Sequence, residues 1–155
     1  MSKLYPRQFI SKVLIEELGS MIKPTPYISF AILAIGIEFL GKCLNTNEND
    51  WNKGRSDLNF KKAINELVAF EEYRDKLDKY ELHDSLRNGF AHSFVPKGTI
   101  SLSSKDEDEN FKVTDGKLNL RCENLYKDFK NACIEVINMR FARNNKMNKP
   151  LLKVP

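Results

Sequence analysis

The chain has 155 residues, of which 41% are hydrophobic and 30% are charged, and its formal net charge is +4. This length and composition support one compact core and leave too little chain for two ordinary domains. The mild positive charge permits contact with nucleic acid, but dedicated DNA-binding domains have denser basic clusters. Three cysteines without a Cys-x-x-Cys pair indicate neither a disulfide framework nor a zinc site.

Two helices are predicted in the N-terminal part of the chain. Apolar residues recur at helical spacing from Phe9 to Leu18, and Gly19 is expected to end this first helix. A second helix is predicted over residues 28–44, and because it is apolar on most faces it belongs at the centre of a helical domain. Glycine in a helix costs about 1 kcal/mol relative to alanine, so close packing against another helix is expected to compensate for the glycines in this segment.

The most apolar window, residues 27–40, is interpreted as a buried core helix. It carries Glu38 and falls short of the roughly 20 residues that a membrane span needs. Glu16 and Glu17 follow the N-terminal residues 1–7, which is unlike the apolar stretch of a secretory signal. We therefore expect a cytoplasmic protein with reduced cysteines and no membrane partner.

The middle of the chain is predicted to contain a loop and further helix. Residues 45–56 are polar and are typical of a loop, and apolar residues within 60–70 form a third helical face. Residues 73–90 are predicted to be either one continuing helix or a helix that breaks and resumes near Lys79. Pro96 follows and disfavours continuation.

The periodicity then changes to that of strands, over about residues 99–121. Thr99–Ser103, Phe111–Thr114 and Lys117–Arg121 alternate, and the pair Asp115-Gly116 is typical of a tight hairpin turn. We therefore predict a small antiparallel sheet in this segment, with helical spacing resuming after it.

Together these segments predict a mainly α protein. The expected architecture is an up-and-down bundle of about four to five helices with the small antiparallel β insertion before the last helix. Residues 1–143 are predicted to form a single domain, and residues 144–155 a basic, flexible tail.

The run 86–93, Leu-Arg-Asn-Gly-Phe-Ala-His-Ser, carries the strongest functional signal. Arginine is a permanent cation whose fork of donors suits phosphate, and histidine exchanges a proton near neutral pH. In a straight helix Arg87 and His92 would point roughly 140° apart. They converge only if the helix ends near Gly89 or Phe90, or if a second copy of the chain supplies the other half of the site.

Several neighbours of this pair are candidates for supporting roles. Asp84 shares a helical face with Arg87 and Asn88, so it is a candidate to orient or neutralise the guanidinium. Asn88 is placed to bind a ligand, a partner chain or a backbone carbonyl. Glu38, a carboxylate in an apolar helix, needs a partner, and Arg87 is the candidate. His83 is assigned a structural role, on a face different from that of Arg87.

The motif resembles that of the HEPN domains (higher eukaryotes and prokaryotes nucleotide-binding). These are small helical bundles whose catalytic members carry an arginine, a polar residue after it, and a histidine four to six residues further on. Arg87, Asn88 and His92 match this pattern in type and spacing. Three flanking segments also look like bacterial HEPN-like proteins: residues 38–41, 82–86 and 93–96. The β insertion departs from the minimal helical pattern.

The resemblance implies metal-independent RNA cleavage at a site shared across a homodimer, in a toxin or phage-defence role and without a cofactor. Arg87 would bind the phosphate, His92 would act as general base or acid, and Asn88 would position the phosphate or hold His92 in one tautomer. The supporting residues would be Asp84, Glu38 and Ser93. A protein antitoxin or regulator is a further expected partner.

Two other interpretations of the motif are compatible with the sequence. The first is a non-catalytic HEPN-like module that binds a nucleotide, RNA or a protein partner in the same cleft. In the second, Arg87 is only a helix C-terminal cation paired with Asp84, and His92 is a loop histidine.

Overall fold

The computed structural model describes residues 2–45, 51 and 55–154. Over these residues the protein is mainly helical with a small mixed β-sheet, which confirms the predicted mainly α class. The predicted polar loop, residues 45–56, lies mostly outside the described residues.

Helical segments make up most of the described chain, and short strands lie at its two ends and before the last long helix. In chain order the elements are β1 (Ser2–Leu4), α1 (Pro6–Phe9), a π-helical segment (Ile10–Glu17), α2 (Leu18–Met21), α3 (Pro26–Cys43), α4 (Ser56–Glu66), a 3₁₀ segment (Val68–Tyr73), α5 (Arg74–Leu77), a second π-helical segment (His83–Asn88), α6 (Gly89–Ser93), β2 (Ile100–Ser103), β3 (Val113–Thr114), β4 (Lys117–Arg121), α7 (Cys122–Asn138), a second 3₁₀ segment (Lys146–Asn148) and β5 (Leu152–Val154).

The first and middle helices differ in extent from the prediction. Residues 6–21 are continuously helical, so Gly19 does not end the first helix. Of the two predictions for residues 73–90, the broken helix is confirmed, because a turn separates α5 from the second π-helical segment. Glu81 in this turn has a φ of 47°, a left-handed conformation that is incompatible with a continuing α-helix.

α3 is the central helix, as predicted. Leu33, Ile37 and Leu40 are at most 1% exposed, and the helix packs against both α4 and α7. A Cβ atom on Gly41 would overlap the backbone carbonyl of Asn59 in α4. The glycine therefore allows the two helices to touch, which confirms the expected close packing. By length and composition α3 is also a candidate membrane span, but 50% of it is buried inside the domain.

The sheet is mixed, so the prediction of an antiparallel sheet is wrong in one pairing. β3 and β4 form the antiparallel hairpin, and its turn residues Asp115 and Gly116 have φ of 52° and 74°, as a type I′ turn requires. β2 instead pairs in parallel with β4. The loop between β2 and β3 makes this possible, because Asn119 donates to the carbonyl of Glu109 at 2.9 Å and thereby holds the loop against β4.

The C-terminal segment packs on the domain, which corrects the prediction of a flexible tail from residue 144. Met147 is 1% exposed, and its backbone N–H donates to the side chain of Asn145 at 2.9 Å. β5 pairs antiparallel with β1, so both ends of the described chain lie together. The apolar side chain of Met147 explains this packing, since burying it removes apolar surface from water.

Candidate functional site

The motif lies in a helix that continues through it. The second π-helical segment leads directly into α6, and the helix ends only at Phe94, whose φ is 55°. Of the two ways in which Arg87 and His92 were expected to converge, a helix end near Gly89 or Phe90 is therefore excluded. No hydrogen bond joins Arg87 to His92 within the described residues.

Gly89 has a different role from the one expected. A Cβ atom there would lie 2.5 Å from the carbonyl oxygen of Val95 and 3.0 Å from Cα of Pro96. The N–H of Lys97 also donates to the carbonyl of Ser85 at 2.8 Å. The helix that carries the motif, residues 83–93, is called the motif helix below. The chain thus turns back and crosses this helix at Gly89, where any side chain would collide with the returning backbone.

Arg87 is held by Glu38 of the central helix. Its Nε lies 2.6 Å from Oε2 of Glu38, and the two side chains are 23% and 15% exposed. The predicted pairing of these residues is confirmed. Nη1 is 3.4 Å from Oδ1 of Asn88, a long and weak contact, and Nη2 has no hydrogen bond among the described residues. The outer edge of the guanidinium is therefore available for the bidentate contact that arginine makes with phosphate.

Asp84 binds Asn88 and not Arg87. Its Oδ1 accepts a hydrogen bond from Nδ2 of Asn88 at 3.2 Å, and Lys97 Nζ lies 3.4 Å from the same oxygen. The hydrogen bond from Asn88, followed by the contact with Lys97, lowers the pKa of Asp84. The prediction that Asp84 orients or neutralises Arg87 is wrong as a direct contact. Asp84 instead orients the amide whose oxygen faces Arg87.

His83 belongs to the same cluster as Arg87, contrary to the prediction. Oγ of Ser56 is 2.9 Å from Oε2 of Glu38 and 3.0 Å from Nε2 of His83. On its other side, Nδ1 of His83 is 3.5 Å from Oδ1 of Asp57. Burial is the main cause that lowers the pKa of His83. Residues four apart lie on one side of a helix, so His83 reaches α4 while Arg87 reaches the neighbouring α3.

Ser56 and Asp57 are site residues that the sequence did not reveal. They form the first turn of α4, where serine and aspartate are common because they satisfy free backbone N–H groups. The sequence therefore contains an ordinary helix-start signal at these two residues. Only the packing of α4 against its neighbours brings Ser56 to Glu38 and Asp57 to His83.

His92 and Ser93 lie on the exposed last turn of the motif helix. Neither side chain makes a hydrogen bond or an ion pair within the part of the chain that the structure describes. The next residues, Phe94 and Val95, are 78% and 53% exposed. Oη of Tyr27 donates to the carbonyl of Phe94 at 2.6 Å, which fixes the end of the motif helix to the start of α3.

An apolar surface lies beside the motif. On α3, Tyr27, Ile28 and Ile35 are 49%, 55% and 51% exposed, and helix geometry places them with Glu38 in a sector of roughly 100°. Tyr27 connects this stripe to the exposed end of the motif helix. We call the whole surface the apolar face; it consists of Tyr27, Ile28, Ile35, Phe94 and Val95. A contiguous apolar surface of this kind is typical of an interaction site.

A cleft of 270 Å³ lies on the outer side of His83. Its lining is mostly acidic and consists of Asp57, Lys61, Leu77, Asp78, Glu81, His83 and Asp84. No group of three or more potential ligands in a geometry for a metal ion occurs among the described residues.

Comparison of this chain with protein-family models, with curated proteins and with solved structures returned no match. The resemblance to HEPN domains therefore depends on the motif and its flanking residues, and the function has to be argued from the geometry of the site.

Proposed function

We propose that this protein is a metal-independent endoribonuclease of the HEPN type that acts as a homodimer, in a toxin or phage-defence role. One observation carries the proposal. Glu38 fixes the Arg87 guanidinium through Nε alone, while His92 lies exposed on the same helix. A fixed phosphate ligand and an accessible acid–base group are the two parts that cleavage by the RNA's own 2′-hydroxyl requires.

The chemistry needs no group beyond these side chains and the RNA. A base removes the proton of the 2′-hydroxyl, and the 2′-oxygen forms a bond to the adjacent phosphorus. The bond from phosphorus to the 5′-oxygen breaks, and that oxygen takes a proton to leave as a 5′-hydroxyl. His92 carries the proton transfer, Arg87 binds the phosphate oxygens, and Asn88 positions the phosphate or the imidazole; Asp84, Glu38 and Ser93 support them.

A second copy of the chain supplies the missing geometry. Since Arg87 and His92 are not joined in one chain, the proposal pairs Arg87 of one protomer with His92 of the other across a two-fold axis. The apolar face supports this arrangement, because Phe94 and Val95 follow His92 at the end of the motif helix and Ile35 lies one helical turn from Glu38, the partner of Arg87. It would be buried on dimerisation. In the same proposal, the helices form the up-and-down bundle of HEPN domains.

The location and regulation of the protein follow from this function. Cys43, Cys122 and Cys133 are buried and free, which agrees with a reducing compartment. We therefore place the protein in the cytoplasm, with a protein antitoxin or regulator as a further partner.

The test is to incubate the purified protein with RNA in the presence of EDTA. Cleavage is expected to persist and to leave 2′,3′-cyclic phosphate and 5′-hydroxyl ends. The Arg87→Ala and His92→Ala proteins should each lose cleavage by roughly 100-fold or more, since acid–base catalysis contributes about 10²–10⁴-fold. Unchanged cleavage in either variant, or loss of cleavage in EDTA, would contradict the proposal.

A non-catalytic binding module is the second candidate. The observation that favours it is the ion pair between Arg87 and Glu38, which neutralises the arginine within its own chain. This alternative predicts that RNA or a nucleotide binds without being cut and that Arg87→Ala abolishes binding, while His92→Ala leaves it unchanged. The same incubation, followed by a binding measurement, separates the two candidates.

A further inference from the structure

A continuous chain of contacts leads from an exposed carboxylate at the start of α4 to the motif arginine. It runs from Asp57 to His83, then through the hydroxyl of Ser56 to Glu38, and ends at Nε of Arg87. The successive distances are 3.5, 3.0, 2.9 and 2.6 Å. None of these links involves His92, so the chain of contacts is separate from the proposed acid–base group.

The number of protons available in this chain decides which of its contacts can form at the same time. Ser56 has one proton to donate, the Glu38 carboxylate only accepts, and Arg87 only donates. If Ser56 donates to Glu38, its oxygen can only accept from Nε2 of His83, so Nε2 must carry a proton. Nδ1 faces the carboxylate of Asp57, and this contact is favourable when Nδ1 also carries a proton. All contacts are therefore satisfied together only when the imidazole is doubly protonated.

A neutral imidazole has one ring proton, so it can serve either Asp57 through Nδ1 or Ser56 through Nε2; the proposal uses the Nδ1–H form, which faces the Asp57 carboxylate. With its proton on Nδ1, towards Asp57, the ring presents Nε2 as an acceptor, and the hydroxyl of Ser56 turns to donate to it. Glu38 then loses that donor, and its Oε2 keeps Arg87 alone. A carboxylate oxygen with one donor fewer forms a stronger charge-assisted bond with the donor that remains.

We propose that His83 is a positioning residue for Arg87, acting through Ser56 and Glu38. When His83 is charged, Ser56 shares the carboxylate of Glu38 and the hold on Arg87 weakens, which leaves the guanidinium freer to bind a phosphate. When His83 is neutral, Glu38 binds Arg87 more tightly. This control acts on the site of the proposed ribonuclease, so its effect on cleavage depends on that function, whereas the coupling itself does not.

The other charged groups around His83 agree with this direction. Asp57 on α4 and Glu38 on α3 favour the charged ring, as does Asp84 on its own segment, and Arg87 opposes it. Lys61 lies 3.4 Å from the carboxylate of Asp57 and reduces its effect. Burial outweighs these groups and lowers the pKa of His83 below its ordinary value near 6.5. The ring is therefore neutral at neutral pH and becomes charged as the pH falls.

The coupling can be measured without RNA by nuclear magnetic resonance. The side-chain Nε–H signal of Arg87 and the ring signals of His83 are followed from pH 8 to about pH 5, the range in which a histidine titrates. The chain has two histidines, so a His92→Gln protein identifies the ring of His83. The Nε–H proton of Arg87 should move upfield as the pH falls, with the midpoint of His83, because its hydrogen bond weakens.

Variants of Ser56 separate the chain of contacts from a direct charge effect. In Ser56→Ala, His83 should still titrate, but the change of the Arg87 signal with pH should fall to less than half of the wild-type change. Ser56→Thr keeps the hydroxyl and should restore it. Asp78→Asn, in the same cleft but outside the chain of contacts, is the matched control and should behave as wild type. If Ser56→Ala does not fold, His83→Gln replaces it and should leave the Arg87 signal constant with pH.

An Arg87 signal that is constant with pH in the wild type, or that moves fully in Ser56→Ala, would overturn the proposal. Cleavage provides an independent second measurement. The ratio of kcat/KM between wild type and Ser56→Ala should change roughly threefold or more between the acidic and neutral ends of the range, since this parameter reports ionisations of the free enzyme. A protein that cuts no RNA can still show the coupling, so the two failures are distinguishable.

Discussion

The motif helix has two halves with opposite surroundings. In the half from His83 to Asn88, Arg87 and His83 are bound by α3 and α4, and the exposed Asp84 is bound by Asn88 and Lys97. The half from Gly89 to Ser93 reaches the surface, and His92 there has no polar partner among the described residues. The side chains of one half are therefore held by contacts within the chain, whereas in the proposed function a second copy completes the other half.

In the proposed function, this difference separates the part of the site that one chain supplies from the part that a second copy completes. An arginine whose Nε is bound and whose outer edge is open is ready for an anion before any partner arrives. In the same proposal, the exposed His92 is enclosed by protein only when the apolar face is covered by the second copy. The two halves of the proposed site can be tested separately.

The largest effect is expected from complementation between inactive variants. Arg87→Ala and His92→Ala are each expected to lose roughly 100-fold or more of the cleavage activity. When the two are co-expressed with different tags, the heterodimer contains one intact Arg87 and one intact His92 on opposite protomers. If the halves of the site come from two chains, the purified heterodimer should regain measurable cleavage. A heterodimer as inactive as its parents would place both halves in one chain.

A second prediction concerns the apolar face. Ile35→Arg adds a charge to a side chain that is 51% exposed, so it should convert the dimer to a monomer and abolish cleavage. The free energy of unfolding of the monomer should change by no more than about 0.5 kcal/mol, as is usual for a surface position. Sedimentation gives the oligomeric state.

The matched control is Val68→Arg, at an equally apolar and exposed position in the 3₁₀ segment beside α7. It should leave the dimer intact. Dissociation by Val68→Arg, or a dimer that tolerates Ile35→Arg, would show that the apolar face is not the interface.

The smallest effect is expected from a substitution at the contact between α3 and α4, the two helices that bind Arg87 and His83. Gly41→Ala would place a methyl group against the backbone carbonyl of Asn59 and push α4 away from α3. Overpacking of this kind costs about 1–3 kcal/mol, measured as a lower urea midpoint. Gly98→Ala is the control, because a Cβ atom there meets nothing within 4 Å. Equal midpoints for the two variants would show that α3 and α4 do not depend on this contact.

Much of the fold could be predicted because local patterns determine it. The apolar periodicity indicated the central position of α3, and the Asp115-Gly116 pair indicated the hairpin of β3 and β4. The parallel pairing of β2 with β4 could not be read from alternation, since the same pattern fits either direction of pairing. The packing of Met147 was also missed, because the basic segment around it contains Asn and Pro and shows little periodicity.

For the site, residue types were easier to predict than contacts. The charge of Glu38 in an apolar helix demanded a partner, and Arg87 is that partner. The assignments of Asp84 and His83 were wrong because both depend on elements distant in sequence: the segment that brings Lys97 back to Asp84, and the start of α4 that brings Ser56 to His83.

The sequence by itself determined the helical class, the central helix and the motif residues, because propensity, periodicity and residue type are local properties. Only the tertiary structure decided that the motif helix continues through Gly89, that Arg87 is bound inward and that His92 is left outside. Those outcomes depend on how α3, α4 and the returning segment at Val95 pack around the helix. The physical reason is that a side chain's partners are chosen by proximity in space, which no single segment specifies.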